Sequence, residues 1–277
     1  MISIINNIKK IKQNISANIE EIIPDESLKE FITGGKFIRS RLTLLYLKSQ
    51  NCKISEDIYR ILEVGELIHS ASLLHDDVID GAKNRRNKTT IANKYSSKVS
   101  ILAGDYLISK AIEKLLELND NKILEIFRGC TEKMSTAEVK QFFLRGQIPA
   151  SEDYIEICKD KTAMLFAAIL ESCAIKTFLN VDSARNFGLL FGIYFQIKND
   201  LEKNSAEVDK NNKIYTAVDI FGIEKTTNLL DNYKEEMSEI VNTFPETVYK
   251  KELKDLIDSI WLRENNLKRF LRKQLIQ

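Results

Sequence analysis

At 277 residues, with 44% hydrophobic and 29% charged side chains, the chain can bury a large core as one big domain or two small ones. Its 41 basic and 40 acidic residues leave a formal charge of +1, which removes any global electrostatic reason to bind nucleic acid or an anionic membrane. Cys52, Cys130, Cys158 and Cys173 lie far apart, which excludes a disulfide scaffold or a closely paired zinc site and reads as buried thiols in a reducing cytoplasm.

With 3 prolines and 10 glycines there is little to interrupt long helices. The first helix is predicted over 3–21, where Ile4, Ile8, Ile11, Ile15 and Ile19 recur at helical spacing. Lys9, Lys10 and Lys12 fall within it, so it has no signal-peptide apolar region. Helices follow over 26–49, 54–79, 91–117, 121–145, 151–178, 182–202, 214–242 and 247–273, the penultimate one patterned by Leu229, Leu230, Tyr233, Met237 and Ile240. Alternating strand patterns and repeats of fixed period are absent, so the fold class is all-α, expected as one helical domain over 1–277. The longest apolar stretches, such as AMLFAAIL at 163–170, fall short of the roughly 18 to 20 residues of a membrane span. Two polar stretches, 81–90 and 203–213, each follow an acidic helix end and read as functional loops.

The chemistry concentrates in ELIHSASLLHDDVIDGAKNRRNKTT, residues 66–90. On a helix, Asp76 and Asp80 share a face one turn apart and can converge on a hard cation, with His69 and Ser72 on the same stripe. Leu73, Leu74 and Val78 bury this helix, and buried acids call for a metal or a cationic partner. Gly81 stops the helix, and Arg85 and Arg86 follow, so that metal and guanidiniums together suit a diphosphate. Taken alone, an Asp-Asp-x-x-Asp pattern in so charged a chain is more often a solvated face; the apolar context and the arginine pair argue otherwise. Lys36 and Arg39, after the helix break at Gly34 and Gly35, form a second basic patch, which taken by itself reads better as a loop with exposed basic residues. Lys161 and Thr162 open an unusually apolar helix, a placement suited to an anionic head with a hydrophobic tail or, as readily, to a solvated lysine.

In this order, GGKFIR, LLHDDVIDGAKNRR, LAGDYL, KTAMLFAA and FQIKNDL resemble the trans-isoprenyl diphosphate synthases, or polyprenyl synthetases, from about residue 30 to 230. The resemblance implies an orthogonal helical bundle of the isoprenoid synthase fold, usually homodimeric, with two aspartate-rich motifs facing each other across a central cavity. It implies condensation of isopentenyl diphosphate with an allylic diphosphate, with about two or three Mg²⁺ ions. Asp76 and Asp80 would ligate Mg²⁺, with Asp77 supporting, and Asn199 and Asp200 would complete the metal set. Arg85 and Lys161 would grip the allylic diphosphate; Lys36, Arg39, His69 and Arg86 would bind isopentenyl diphosphate. Thr162 and Gln196 would lie along the reacting face, and Lys213 matches the lysine after the second motif. The growing chain would run down the helix bearing Asp76, past Ala71 and Ser72, with Ile108 and Ile112 as candidates for the floor. Short-chain members of the family commonly place an aromatic residue there and lengthen the first motif; this sequence has the small Ala71 and Ser72 and no lengthening, so the resemblance implies a medium or long product, around hexaprenyl to octaprenyl.

The second motif departs from the family: Asn199 and Lys203 stand where it has aspartates, and Asn ligates Mg²⁺ only through a neutral amide oxygen. Three readings follow. One is an active synthase in which Asn199, Asp200 or Glu202 completes the metal cluster. Another is a class I terpene cyclase, from the spacing of Asn199, Lys203 and Glu207, although Lys203 spoils that triad. The third is a regulatory subunit paired with a catalytic homologue. The intact first motif favours the synthase.

Overall fold

The computed structural model describes residues 2–19, 26–85, 88–202 and 214–261. Its helices are α1 (Ile2–Ile19), α2 (Glu26–Thr33), α3 (Ile38–Ser49), α4 (Glu56–Ile79), α5 (Ile91–Lys94), α6 (Ser97–Glu117), α7 (Asn121–Phe143), α8 (Ser151–Ile157), α9 (Met164–Thr177), α10 (Val181–Glu202), α11 (Ala217–Asn242) and α12 (Val248–Trp261). A π-helix, Cys158–Ala163, joins α8 to α9. The all-α expectation holds, with one addition: in the 81–90 loop β1 (Asn84–Arg85) pairs antiparallel with β2 (Lys88–Thr89). Among the described residues no helix is long and apolar enough to cross a membrane.

Breaks within the expected helices have local causes. The predicted 26–49 helix divides after the Gly34 N–H makes a last helical bond to the Glu30 carbonyl at 2.7 Å, and Phe37 takes φ 51° before α3 begins. The predicted 91–117 helix divides at Tyr95, because Ser96 turns extended and accepts from the Val99 N–H, starting α6 afresh. Ser55 caps α4 in the same way. Gly222, at φ 75°, kinks α11.

The described residues divide into two compact units interleaved along the chain. One comprises those within Met1–Leu44, Lys53–Glu132 and Ala168–Val181; the other, those within Leu45–Cys52, Lys133–Ala167 and Asp182–Gln277.

In the first unit, Ile4, Ile11, Ile15 and Ile19 of α1 are buried, as are Ile58, Ile61, Leu62 and Leu67 of α4 and Leu107, Ala111 and Leu115 of α6. An ion pair sits inside this apolar packing: Lys114 of α6 lies 2.6 Å from the Glu63 carboxylate of α4, their side chains 9% and 2% exposed. The Asn14 amide donates to the other Glu63 oxygen at 2.6 Å. Burying both charges is tolerable only because each neutralises the other.

In the second unit the ring of Tyr46 packs against Phe187 and Phe244, with centroids 5.0 and 5.1 Å apart. A second aromatic group joins Phe166 to Phe191 and Phe195. Helix α10 approaches the π-helix and the start of α9 unusually closely there: a Cβ on Gly188 would lie 2.6 Å from the Ala167 Cα, and one on Gly192 would lie 2.3 Å from the Ala163 Cα. Only glycine permits that contact, because backbone rather than a yielding side chain blocks the space.

Candidate active site

The first acidic motif lies at the C-terminal end of α4. Leu67, Ile68, Ala71, Leu74 and Asp77 are buried, which leaves His69, Ser72, Leu73, Asp76 and Asp80 partly exposed along one stripe. The shared face expected from four-residue spacing is therefore present. Asp80 is the C-cap, its N–H returning to the Asp76 carbonyl at 2.8 Å, and Gly81 follows at φ 60°. Two carboxylates at the negative end of a helix dipole, both reachable from solvent, form an oxygen donor set suited to a hard divalent cation.

Asp77 is different. One residue round the helix from Asp76, it is 1% exposed, and Arg85 Nε donates to its Oδ1 at 2.7 Å. Burial raises its carboxyl pKa above the usual range; Arg85 opposes the shift, and Asp80 adds to it. Its Oδ2 is buried and meets no donor among the described residues. Asp77 thus faces away from the stripe of Asp76 and Asp80 and holds Arg85 and β1 against the end of α4. Arg86 lies outside the described residues.

Of the predicted anion-binding residues in this unit, Lys36 is exposed at the start of α3, whereas Arg39 is buried at 7% exposure. Arg39 lies near Glu66, whose pKa burial raises while hydrogen bonds from the Ser40 hydroxyl (2.6 Å) and N–H (3.1 Å), together with the Arg39 charge, hold it down. The Gly34–Gly35 turn is pinned by Lys12, which donates to the Gly35 carbonyl at 3.1 Å. Of the predicted chain-length residues, Ala71 is 1% exposed and belongs to the core, Ser72 lies on the open stripe with its hydroxyl on the His69 carbonyl, and Ile108 is half-buried.

The second unit carries the other predicted residues. The π-helix adds a residue to its turn, a feature common at functional sites, and Lys161 and Thr162 both lie in it. Lys161 forms an ion pair with Glu138 of α7 and donates to Gln141 Oε1 at 2.8 Å. The Thr162 hydroxyl donates to Gln196 Oε1 at 3.1 Å, so the structure brings these two predicted residues together. The Gln196 amide donates in turn to Asp200 Oδ1 at 2.8 Å. Asp200 Oδ2 accepts from the Tyr154 hydroxyl at 2.6 Å and from the Ala217 N–H at 3.2 Å. Asn199 remains partly exposed, and Lys198 pairs with Glu202 at 3.0 Å. Lys203, Glu207 and Lys213 lie outside the described residues. Among the described residues no three His, Cys, Asp or Glu side chains converge as a metal cage.

Sequence reasoning missed Glu138, Gln141 and Tyr154. The first two were findable, being three apart and hence on one face of a predicted helix; one tyrosine among 9 carries no such signal.

Gly192 of α10, one turn before Gln196, meets Ala163 of the π-helix, next to Thr162. Gly192→Ala should push α10 off the π-helix, part the Thr162–Gln196 hydrogen bond and destabilise the protein by about 1–3 kcal/mol; thermal unfolding alongside turnover measures both effects.

The helical arrangement is that of the isoprenoid synthases. It superposes on the crystal structure of heptaprenyl diphosphate synthase from Staphylococcus aureus with a TM-score of 0.84, at 22% identity, over 93% of this chain and 97% of that one. In sequence, the chain is 31% identical over 207 residues to an octaprenyl diphosphate synthase of Haemophilus influenzae and 33% identical over 216 residues to a geranylgeranyl diphosphate synthase of Saccharolobus solfataricus. Each match covers 72% of this chain but 63% of the relative's own length. The chain belongs to the polyprenyl synthetase family, whose sequence model matches residues 23–259.

Proposed function

We propose that the chain is a polyprenyl diphosphate synthase: a prenyltransferase that adds isopentenyl diphosphate to an allylic diphosphate, such as geranyl or farnesyl diphosphate, to give a medium or long all-trans product. What supports this above all is the open stripe of His69, Ser72, Asp76 and Asp80 on α4 in a member of this family. On this reading the chain acts as one catalytic domain, homodimeric and cytoplasmic.

Asp76 and Asp80 are the residues that would hold Mg²⁺, which when bound neutralises charge on the leaving diphosphate. Arg85 and Lys161 supply cationic donors to the allylic diphosphate, and Lys36, His69 and Arg86 to isopentenyl diphosphate, with Arg39 buried beside Glu66. The allylic C–O bond breaks with its electron pair leaving on the diphosphate, and the isopentenyl double bond attacks the resulting carbocation. A proton then leaves to the released pyrophosphate, so no side-chain nucleophile is required. Apolar side chains such as Leu73 exclude the water that would quench the cation.

Incubation of the purified chain with isopentenyl diphosphate, farnesyl diphosphate and Mg²⁺, followed by product sizing, tests the reading. Elongated diphosphates are expected. A hydrocarbon or alcohol formed from the allylic substrate alone would make the chain a cyclase instead. Asn199, a neutral residue in the second motif, favours one rival reading, that of a subunit requiring a catalytic homologue; turnover that appears only when a homologue is added would establish it.

Product length is assigned to Ser72 rather than Ala71, because Ser72 lies on the open stripe and Ala71 inside the core. Ser72→Phe should shorten the product by at least one isoprene unit. Ala71→Phe should instead lower stability by about 1–3 kcal/mol through overpacking. Chromatographic sizing together with thermal melts separates the two effects.

A further inference from the structure

In the described part of the second motif, the Asp200 carboxylate is engaged by the protein's own donors. We infer that Asp200 is an internal hydrogen-bond anchor and not a metal ligand, so that among the described residues divalent cations depend on Asp76 and Asp80. The inference deepens the synthase reading and rests on it for the role of the first motif.

The geometry of Asp200 carries the argument. The residue is 9% exposed, and three donors from three separate elements converge on its carboxylate: the Tyr154 hydroxyl of α8, the Gln196 amide one turn earlier on α10, and the Ala217 N–H that opens α11. Both oxygens are engaged, Oδ2 twice. Three of the roughly four acceptor positions of the carboxylate are thereby filled, and a metal that displaced the Tyr154 hydroxyl or the Ala217 N–H would leave that buried donor without its acceptor. Tyr154 is itself held as a donor: burial, reinforced by the nearby Cys158 and Asp200, pushes its pKa well above that of ordinary tyrosine.

The neighbouring residues do not make up the loss. Glu202 is neutralised by Lys198, 3.0 Å away and one turn earlier. Asn199 offers only a neutral amide oxygen, a weak ligand for Mg²⁺ when no charged oxygen assists. The described part of the motif therefore does not fit a divalent ion. What Asp200 does instead is fix the Gln196 amide with its oxygen toward Thr162, and tie the start of α11 to α8 and α10.

Three variants test this: Tyr154→Phe for the anchor, Asp200→Asn for the metal, and Asp76→Asn as the reference. Thermal unfolding is measured in EDTA, and Mn²⁺ binding to the chain loaded with inorganic pyrophosphate is measured by electron paramagnetic resonance. Tyr154→Phe should lower the metal-free melting temperature by about 3 °C or more. Asp200→Asn should leave Mn²⁺ affinity within about 2-fold of the parent, while Asp76→Asn weakens it about 10-fold or more. A Tyr154→Phe chain that melts with the parent in EDTA, or an Asp200→Asn chain that loses Mn²⁺ as Asp76→Asn does, would overturn the inference. If Asp76→Asn also bound Mn²⁺ normally while Tyr154→Phe lowered the melting temperature, the anchor would stand. The metal assignment within the synthase reading would then fall.

Discussion

Asp76→Ala should reduce prenyl transfer by about 10³-fold or more, the scale on which removing one group that stabilises transition-state charge is felt. Asp76 is partly exposed at the end of α4, so little packing is lost with it, and the melting temperature should stay within about 2 °C of the parent. Single-turnover assays with isopentenyl and farnesyl diphosphates at saturating Mg²⁺ measure the first effect and calorimetry the second. A catalytic loss accompanied by a large drop in stability would mean that Asp76 supports the fold rather than the reaction. Asp77→Ala should give the opposite profile, because it removes the partner of Arg85 inside the protein.

Lys114→Met should destabilise the protein by about 3–5 kcal/mol, because Glu63 would keep its charge at 2% exposure without its partner. For a chain of this size that corresponds to a fall of roughly 10 °C in melting temperature. Adding Glu63→Leu should recover most of the loss, since an apolar pair of similar volume avoids desolvating two ions. Asn14, which donates to Glu63 and is half-buried, can then turn its amide toward water. Urea or thermal unfolding of the two single variants and the double variant gives the coupling directly. A double variant no more stable than Lys114→Met alone would show that the pair is needed for more than mutual neutralisation.

The helical class could be read in the sequence because apolar spacing near 3.6 residues reports directly on which side of a helix is buried, as in α1 and α4. The first motif was readable for the same reason, since four-residue spacing and helix geometry alone put Asp76 and Asp80 on one stripe. That Asp77 faces inward follows equally from spacing, yet the family pattern drew it in with its neighbours.

The rest was hidden for physical reasons. A turn like that at Gly34–Phe37 shortens a predicted helix without disturbing the hydrophobic pattern on either side. Two of the partners of Asp200 come from other helices, α8 and α11, and no local rule predicts a hydrogen bond between residues 46 positions apart. The family resemblance assigns Arg39 to a diphosphate, and neither its charge nor its spacing reveals that its position on α3 buries it beside Glu66.

The π-helix at Cys158–Ala163 divides one continuous rod into two stretches that are out of phase. The short amphipathic α8 and the almost wholly apolar α9 each keep their own angular register, and the surplus residue absorbs the mismatch between them. Lys161 and Thr162 sit on that seam, so their directions can be tuned by lengthening or shortening the seam by one residue while both flanking helices keep their packing. The segment works as an aiming joint: a single unit of backbone length sets the directions of Lys161 and Thr162.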